Sequence, residues 1–183
     1  MDFKLIKNLG GIGAVLLTIG IFFPILSLVG IVFVLLSLKG IGEYYNERCI
    51  FNYALYYVIL SVIGIAVYAV LPIVLLKENP LVFMFMIIQC ISCIFAEEFL
   101  FRTILILVVL FIIFFFGAVF LMKSFNLLSA RSRKKMFRIA GLLLLIGWVL
   151  TVILVGTLIL FIGWIIAAVA FFTIKPSMSQ QIT

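Results

Sequence analysis

The chain has 183 residues, 68% apolar and 10% charged, with a formal net charge of +7. A soluble domain is about half apolar and about a quarter charged, so this composition excludes a soluble globular protein. Thirteen Lys and Arg would point to nucleic acid in a soluble chain; here they flank apolar runs and point instead to membrane topology and anionic headgroups.

The N-terminal MDFKLIKNLGG sets Lys4 and Lys7 before an apolar run reaching Leu38. That run is too long for a signal peptide and lacks a small-x-small cleavage site, so it reads as a retained membrane segment. As one helix, residues 9–38 would be about 45 Å long against a hydrocarbon core of about 30 Å. Pro24 lacks an N–H and disfavours helix at Phe23. A hairpin with legs of about fourteen or fifteen residues is therefore favoured over one kinked, tilted span. Residues 39–49 read as a polar connector containing Gly40 and Gly42. Tyr44, Tyr45, Tyr53, Tyr56 and Tyr57 fall where a headgroup belt would lie, the last three on one helix face.

Residues 50–76 form the cleanest span, ending near Pro72 and the Lys77–Pro80 turn. Residues 81–96 are short for a span and read as re-entrant, or as the outer part of a long helix. Glu97, Glu98 and Arg102 follow, inside a second long apolar stretch, and residues 99–122 are long enough to cross. Residues 123–138, KSFNLLSARSRKKMFR, carry six of the thirteen cations and no acid; they read as a basic cytoplasmic loop facing anionic lipid headgroups. Residues 139–174 are predicted as a second hairpin turning near Gly156-Thr157, and residues 175–183 as a disordered tail. If 81–96 does not cross alone, every Lys and Arg except Lys77 and Arg102 shares one side. If it does, the cations split eight to five. The positive-inside rule selects the first threading. The fold class is all-α: a single polytopic helical membrane domain with about six spans, two short hairpins at its ends, and both termini cytoplasmic in a cell membrane.

The two hairpins echo each other, with Gly20 and Gly30 aligning to Gly147 and Gly156. Gly13 and Gly20, like Gly156 and Gly163, are two helical turns apart, which marks candidate helix-packing faces. FLMKSFNLLS, MFRIAGLLLLIGWVL and ILFIGWIIAAVAFFTIK, with the paired tyrosines of Gly42-Glu43-Tyr44-Tyr45, resemble an archaeal multi-pass membrane protein family known only as domain of unknown function number nine hundred and ninety-six. The resemblance covers most of the chain and implies a prokaryotic, archaeal membrane. It implies no activity and no functional residues.

Candidate chemistry is sparse. An intramembrane charge is a functional hypothesis by default, and Glu98 and Arg102 are spaced to pair on a helix. Cys90 and Cys93 form a CxxC, a possible thiol pair, though packing by small residues is the plainer reading. Trp148 and Trp164 lie too deep for a belt and read as packing residues. The chain has no His, and no zinc motif, Walker loop, dinucleotide fingerprint or catalytic triad, so no metal, cofactor or enzymatic activity is expected. The expected role is a non-catalytic accessory or scaffold subunit that associates with other membrane subunits or with itself. The alternatives are a small transporter or channel using Glu97, Glu98 and Arg102, and a membrane thiol oxidoreductase using Cys90 and Cys93.

Overall fold

The computed structural model describes residues 2–20, 23–76, 97–151 and 155–174, and their side chains except those of Pro24, Leu76 and residues 97–100. The elements are α1 (Phe3–Gly20), α2 (Pro24–Tyr44), α3 (Arg48–Leu76), α4 (Glu97–Ser132), α5 (Lys135–Leu150) and α6 (Val155–Thr173). Five are long and apolar enough to cross a bilayer; α5, with 16 residues, is shorter. Helices satisfy their backbone polar groups internally, as a bilayer demands. The chain is a polytopic all-α membrane protein. It divides into two compact units, Met1–Val58 with Ala118–Thr183, and Ile59–Gly117. The predicted segment 81–96 and tail 175–183 lie outside the described residues.

In the first unit, α1 and α2 form the N-terminal hairpin. Phe23 is extended, at φ −127° and ψ 91°, and Pro24 opens α2. Proline suits that place because the first helical N–H has no intrahelical partner. The pairs Gly20–Ser27, Gly13–Val34, Gly10–Ser37 and Ile6–Gly40 show an antiparallel register. The legs are 18 and 21 residues, longer than predicted. The supposed polar connector packs: Gly40, Ile41 and Gly42 are buried and helical, and only residues 45–47 lie outside a helix. Asn46 ends α2 at φ 52°. The Glu47 N–H donates to the Gly42 carbonyl at 2.8 Å and the Asn46 N–H to the Glu43 carbonyl at 3.1 Å. These are the paired bonds of a Schellman cap, with asparagine in the left-handed position.

Helices α5 and α6 form the second hairpin, with Gly147 opposite Leu160 and Gly163 opposite Leu144. Helix α5 ends at Leu150 and α6 begins at Val155, so Gly156-Thr157, the predicted turn, is helical. The Thr151 hydroxyl donates to the Gly147 carbonyl at 2.8 Å. Gly156 sits in the first turn of α6, where a Cβ would collide with the Gly147 carbonyl and the Thr151 amide. Its role is close approach, not the bend.

The basic stretch is also a correction. It is helical through Ser132, breaks at Arg133 and Lys134, and resumes in α5; it is a helical corner, not a loop. Leu121, Phe125 and Leu128 recur at helical spacing and are all buried. That apolar stripe carries α4 onward while Lys123 and Arg131 reach out to the surface. Phe125 meets Phe137, Trp164 and Phe171 edge-on at centroid distances of 5.9, 6.4 and 6.2 Å. Phe137 and Phe171 are 5.0 Å apart. These are favourable edge-to-face geometries, and they lock α4, α5 and α6 together. Trp164 is thus buried in packing.

In the second unit, the last part of α3 and the first part of α4 run antiparallel. Gly64 receives the Phe114 ring, and Leu75 faces Arg102. Ile106 and Leu110 are buried against Val67, Tyr68, Leu71, Leu75 and Phe114. Pro72 is accommodated inside α3, which stays helical to Leu76.

Candidate functional site

Among the described residues, most of the polar contacts lie at one end of the first unit. Arg131 on α4 pairs with Glu47, just ahead of α3, through Nε at 2.9 Å and through Nη2. Lys7 Nζ donates to the Phe172 carbonyl at 3.4 Å, in the last turn of α6. The Phe3 ring lies 4.5 Å from that of Tyr44. The Ser124 hydroxyl donates to the Ile50 carbonyl at 2.8 Å. These contacts bring the start of α1, the 45–47 turn, the basic corner and the end of α6 to the same end. Burial, and then the neighbouring Tyr44, raise the Tyr45 phenol above its ordinary range, so it stays protonated near neutrality.

Within the predicted headgroup-facing stretch, Lys123 Nζ sits 5.9 Å from the Tyr53 ring centroid and 5.8 Å from that of Phe120. That is cation–π range. Arg133, Lys135 and Arg138 are exposed. Tyr53 and Tyr56 both lie against Phe120, and Tyr57 packs on the core.

The predicted packing glycines occupy close approaches. A Cβ on Gly13 would stand 2.8 Å from the Val34 amide nitrogen and 2.9 Å from the Gly30 carbonyl oxygen. A Cβ on Gly20 would stand 2.7 Å from the Ser27 amide nitrogen, and one on Gly163 3.0 Å from a Leu144 methyl. Gly10 and Gly11, passed over in the sequence, are equally tight. Phe171 and Ser37 close on Gly10, and the Phe172 ring covers Gly11. The adjacent pair in LGGIG was the available signal. The Ser37 hydroxyl is buried without a hydrogen-bond partner among the described residues, and its oxygen faces the Gly10 Cα.

The intramembrane cluster is only partly described. Arg102 donates from Nη1 to the Leu75 carbonyl at 3.0 Å, satisfying one of the carbonyls that a helix C-terminus leaves open. Glu97 and Glu98 open α4, but their side chains lie outside the described residues, as do Cys90 and Cys93. Cys49 is an exposed free thiol. Among the described residues no three His, Cys, Asp or Glu side chains gather to hold a metal. A polar cavity between α2 and α3, with no counterpart in the sequence pattern, is lined by Lys39, Gly42, Glu43, Arg48, Phe51 and Asn52.

No curated protein and no solved structure matches the chain. The family model described as "Protein of unknown function (DUF996)" matches residues 26–165. That match takes in α2 to α5, the basic corner and the first half of α6, and the chain therefore belongs to the DUF996 family.

Proposed function

We propose that this protein is a non-catalytic scaffold or accessory subunit of a membrane complex, with the basic corner and both termini in the cytoplasm. The observation that carries the reading is the filled interior of the first unit. Where α1, α2, α3, α4 and α6 meet, the pocket lined by Leu17, Val34, Leu38, Ala54, Leu121 and Trp164 among others encloses only about 10 Å³. A single water needs at least about that volume and polar partners as well, so this bundle is built for rigidity. The orientation draws on the Glu47–Arg131 pair, which keeps the 45–47 turn and the basic corner together. Eleven of thirteen cations then face the cytoplasm.

Purification in native lipid followed by mass spectrometry tests the role. A stoichiometric membrane partner is expected. The protein alone, supporting ion or solute flux in liposomes, would overturn the proposal. For the orientation, an Arg133→Cys variant on a background with Cys49, Cys90 and Cys93 changed to Ser should react with an impermeant thiol reagent only after cells are permeabilised.

A further inference from the structure

The cavity between α2 and α3 measures about 300 Å³, at the lower end of the size range of small-molecule sites. Its polar side chains come in two pairs at helical spacing. Lys39 and Glu43 are one turn apart on α2, and Arg48 and Asn52 are one turn apart on α3. Gly42 keeps the wall between them thin: a Cβ there would lie 3.1 Å from the Glu47 carbonyl oxygen. The Schellman cap at Asn46 folds α3 back beside α2, so the two pairs face one space.

Two features give this space a preference for an anion. Lys39 and Arg48 have no ion-pair partner among the described residues, and with Glu43 they leave a formal charge of +1 around the cavity. The cavity lies between the last turn of α2 and the first turn of α3, whose opposed helix dipoles offset each other, so its charge is set by its side chains. That first turn contains no acidic residue, and Glu47, immediately before it, is already held by Arg131. The site's position narrows the choice of anion. Lys39 lies one turn from the end of a membrane-spanning helix. Below it on the same face come Leu36 and Val32, both exposed; below Asn52 on α3 comes Tyr56, also exposed. A polar cavity with an apolar strip beneath it has the chemistry of a membrane lipid, head above and chains below. Basic pockets between membrane helices are a known form of headgroup site.

We infer that this cavity holds the phosphodiester of a membrane lipid. Lys39 and Arg48 neutralise the phosphate, Asn52 donates an amide hydrogen, and Glu43 faces the polar group esterified beyond it. One phosphodiester at −1 brings the site to neutrality. The site lies apart from the basic corner: its cations come from α2 and α3, those of the corner from residues 123–138.

Native mass spectrometry of the full-length protein, titrated with phosphatidylglycerol in detergent, tests the inference. Wild-type protein should show one saturable lipid adduct. The Lys39→Gln/Arg48→Gln variant should bind at least about tenfold more weakly, and Lys134→Gln/Lys135→Gln should leave the adduct unchanged. Should the double variant fail to fold, Glu43→Gln carries the test. It raises the site charge to +2 and should tighten phosphatidylglycerol binding several-fold. Diacylglycerol, which lacks the phosphate, should not form the saturable adduct, and neither should soluble glycerol phosphate at matched concentration. Equal binding by wild type and Lys39→Gln/Arg48→Gln would overturn the site. Equal loss in both double variants would reduce it to general surface charge. Glycerol phosphate binding as well as the lipid would assign the site to a soluble phosphate instead, and unchanged affinity in Glu43→Gln would also count against the inference.

Discussion

Gly13→Ala tests the close packing of the N-terminal hairpin. The added Cβ would meet the Val34 amide nitrogen at 2.8 Å and the Gly30 carbonyl oxygen at 2.9 Å, where ordinary contact begins at 3.4 Å. Both atoms belong to the backbone of α2, so no side chain can swing away, and the helices must separate by roughly half an ångström. Even that gap forfeits about a quarter of the dispersion energy of each contact along the seam. Overpacking of this kind costs about 1–3 kcal/mol, offset by the gain of about 1 kcal/mol for alanine over glycine in a helix. A net loss of up to about 2 kcal/mol remains, or up to about 8 °C in the unfolding midpoint for a chain of this size. Gly40→Ala is the internal comparison. Its Cβ would meet Ile6 Cδ1 at 2.9 Å, Cγ2 at 3.0 Å and Cγ1 at 3.1 Å, side-chain atoms that can shift further than the backbone of a packed helix. It should cost less than Gly13→Ala. The assay is the thermal midpoint of the detergent-solubilised protein, followed by size-exclusion recovery. If Gly13→Ala and Gly40→Ala melt together at the wild-type temperature, the register of α1 against α2 described above is wrong.

Phe171→Ala should be among the most damaging single changes, costing about 3–5 kcal/mol, because its ring is fully buried against Phe125, Phe137 and Gly10; the yield of monodisperse protein reports it. Phe172→Ala, at a 43% exposed ring, should cost far less in the same assay. Arg102→Leu removes the donor to the Leu75 carbonyl and should lower the melting midpoint by an amount equivalent to about 1–2 kcal/mol, with Arg102→Lys recovering part of it; equal midpoints for all three proteins would show that water replaces the contact. In the background with Cys49, Cys90 and Cys93 changed to Ser, cysteines at Glu47 and Arg131 should be bridged within one molecule by a short bismaleimide, and absence of the bridged species would argue against the shared end. Exchanging both charges, Glu47→Arg with Arg131→Glu, should recover stability lost in either single change by about 0.2–1 kcal/mol, the scale of a partly exposed pair, and high salt should erase the difference.

Much of the architecture was present in the order of residues alone. Hydropathy separates the chain into membrane-length pieces because water and hydrocarbon price polar groups so differently. Pro24 marks a helix start because it has no N–H to give and the first turn needs none. The favoured threading sets eleven of the thirteen cations on one side; the meeting of Glu47 with Arg131, far apart in sequence, came only from the tertiary structure. Hydropathy could not show which apolar side chain meets which neighbour. In a bilayer the lipid-facing and protein-facing sides of a helix are both apolar, so the pattern that reveals burial in water is muted. Leu17 is buried and Ile19 exposed on α1, yet both read as membrane residues. The ends of helices were misplaced for a related reason. Residues 39–44 and 123–132 look polar one by one, but Ile41, Phe125 and Leu128 have partners to bury against, and that burial carries the helices onward through the charged positions. The same holds for the cavity beside α3. Lys39 and Arg48 are nine positions apart and unremarkable on paper; only the cap at Asn46, folding one helix back along the other, brings them to one space.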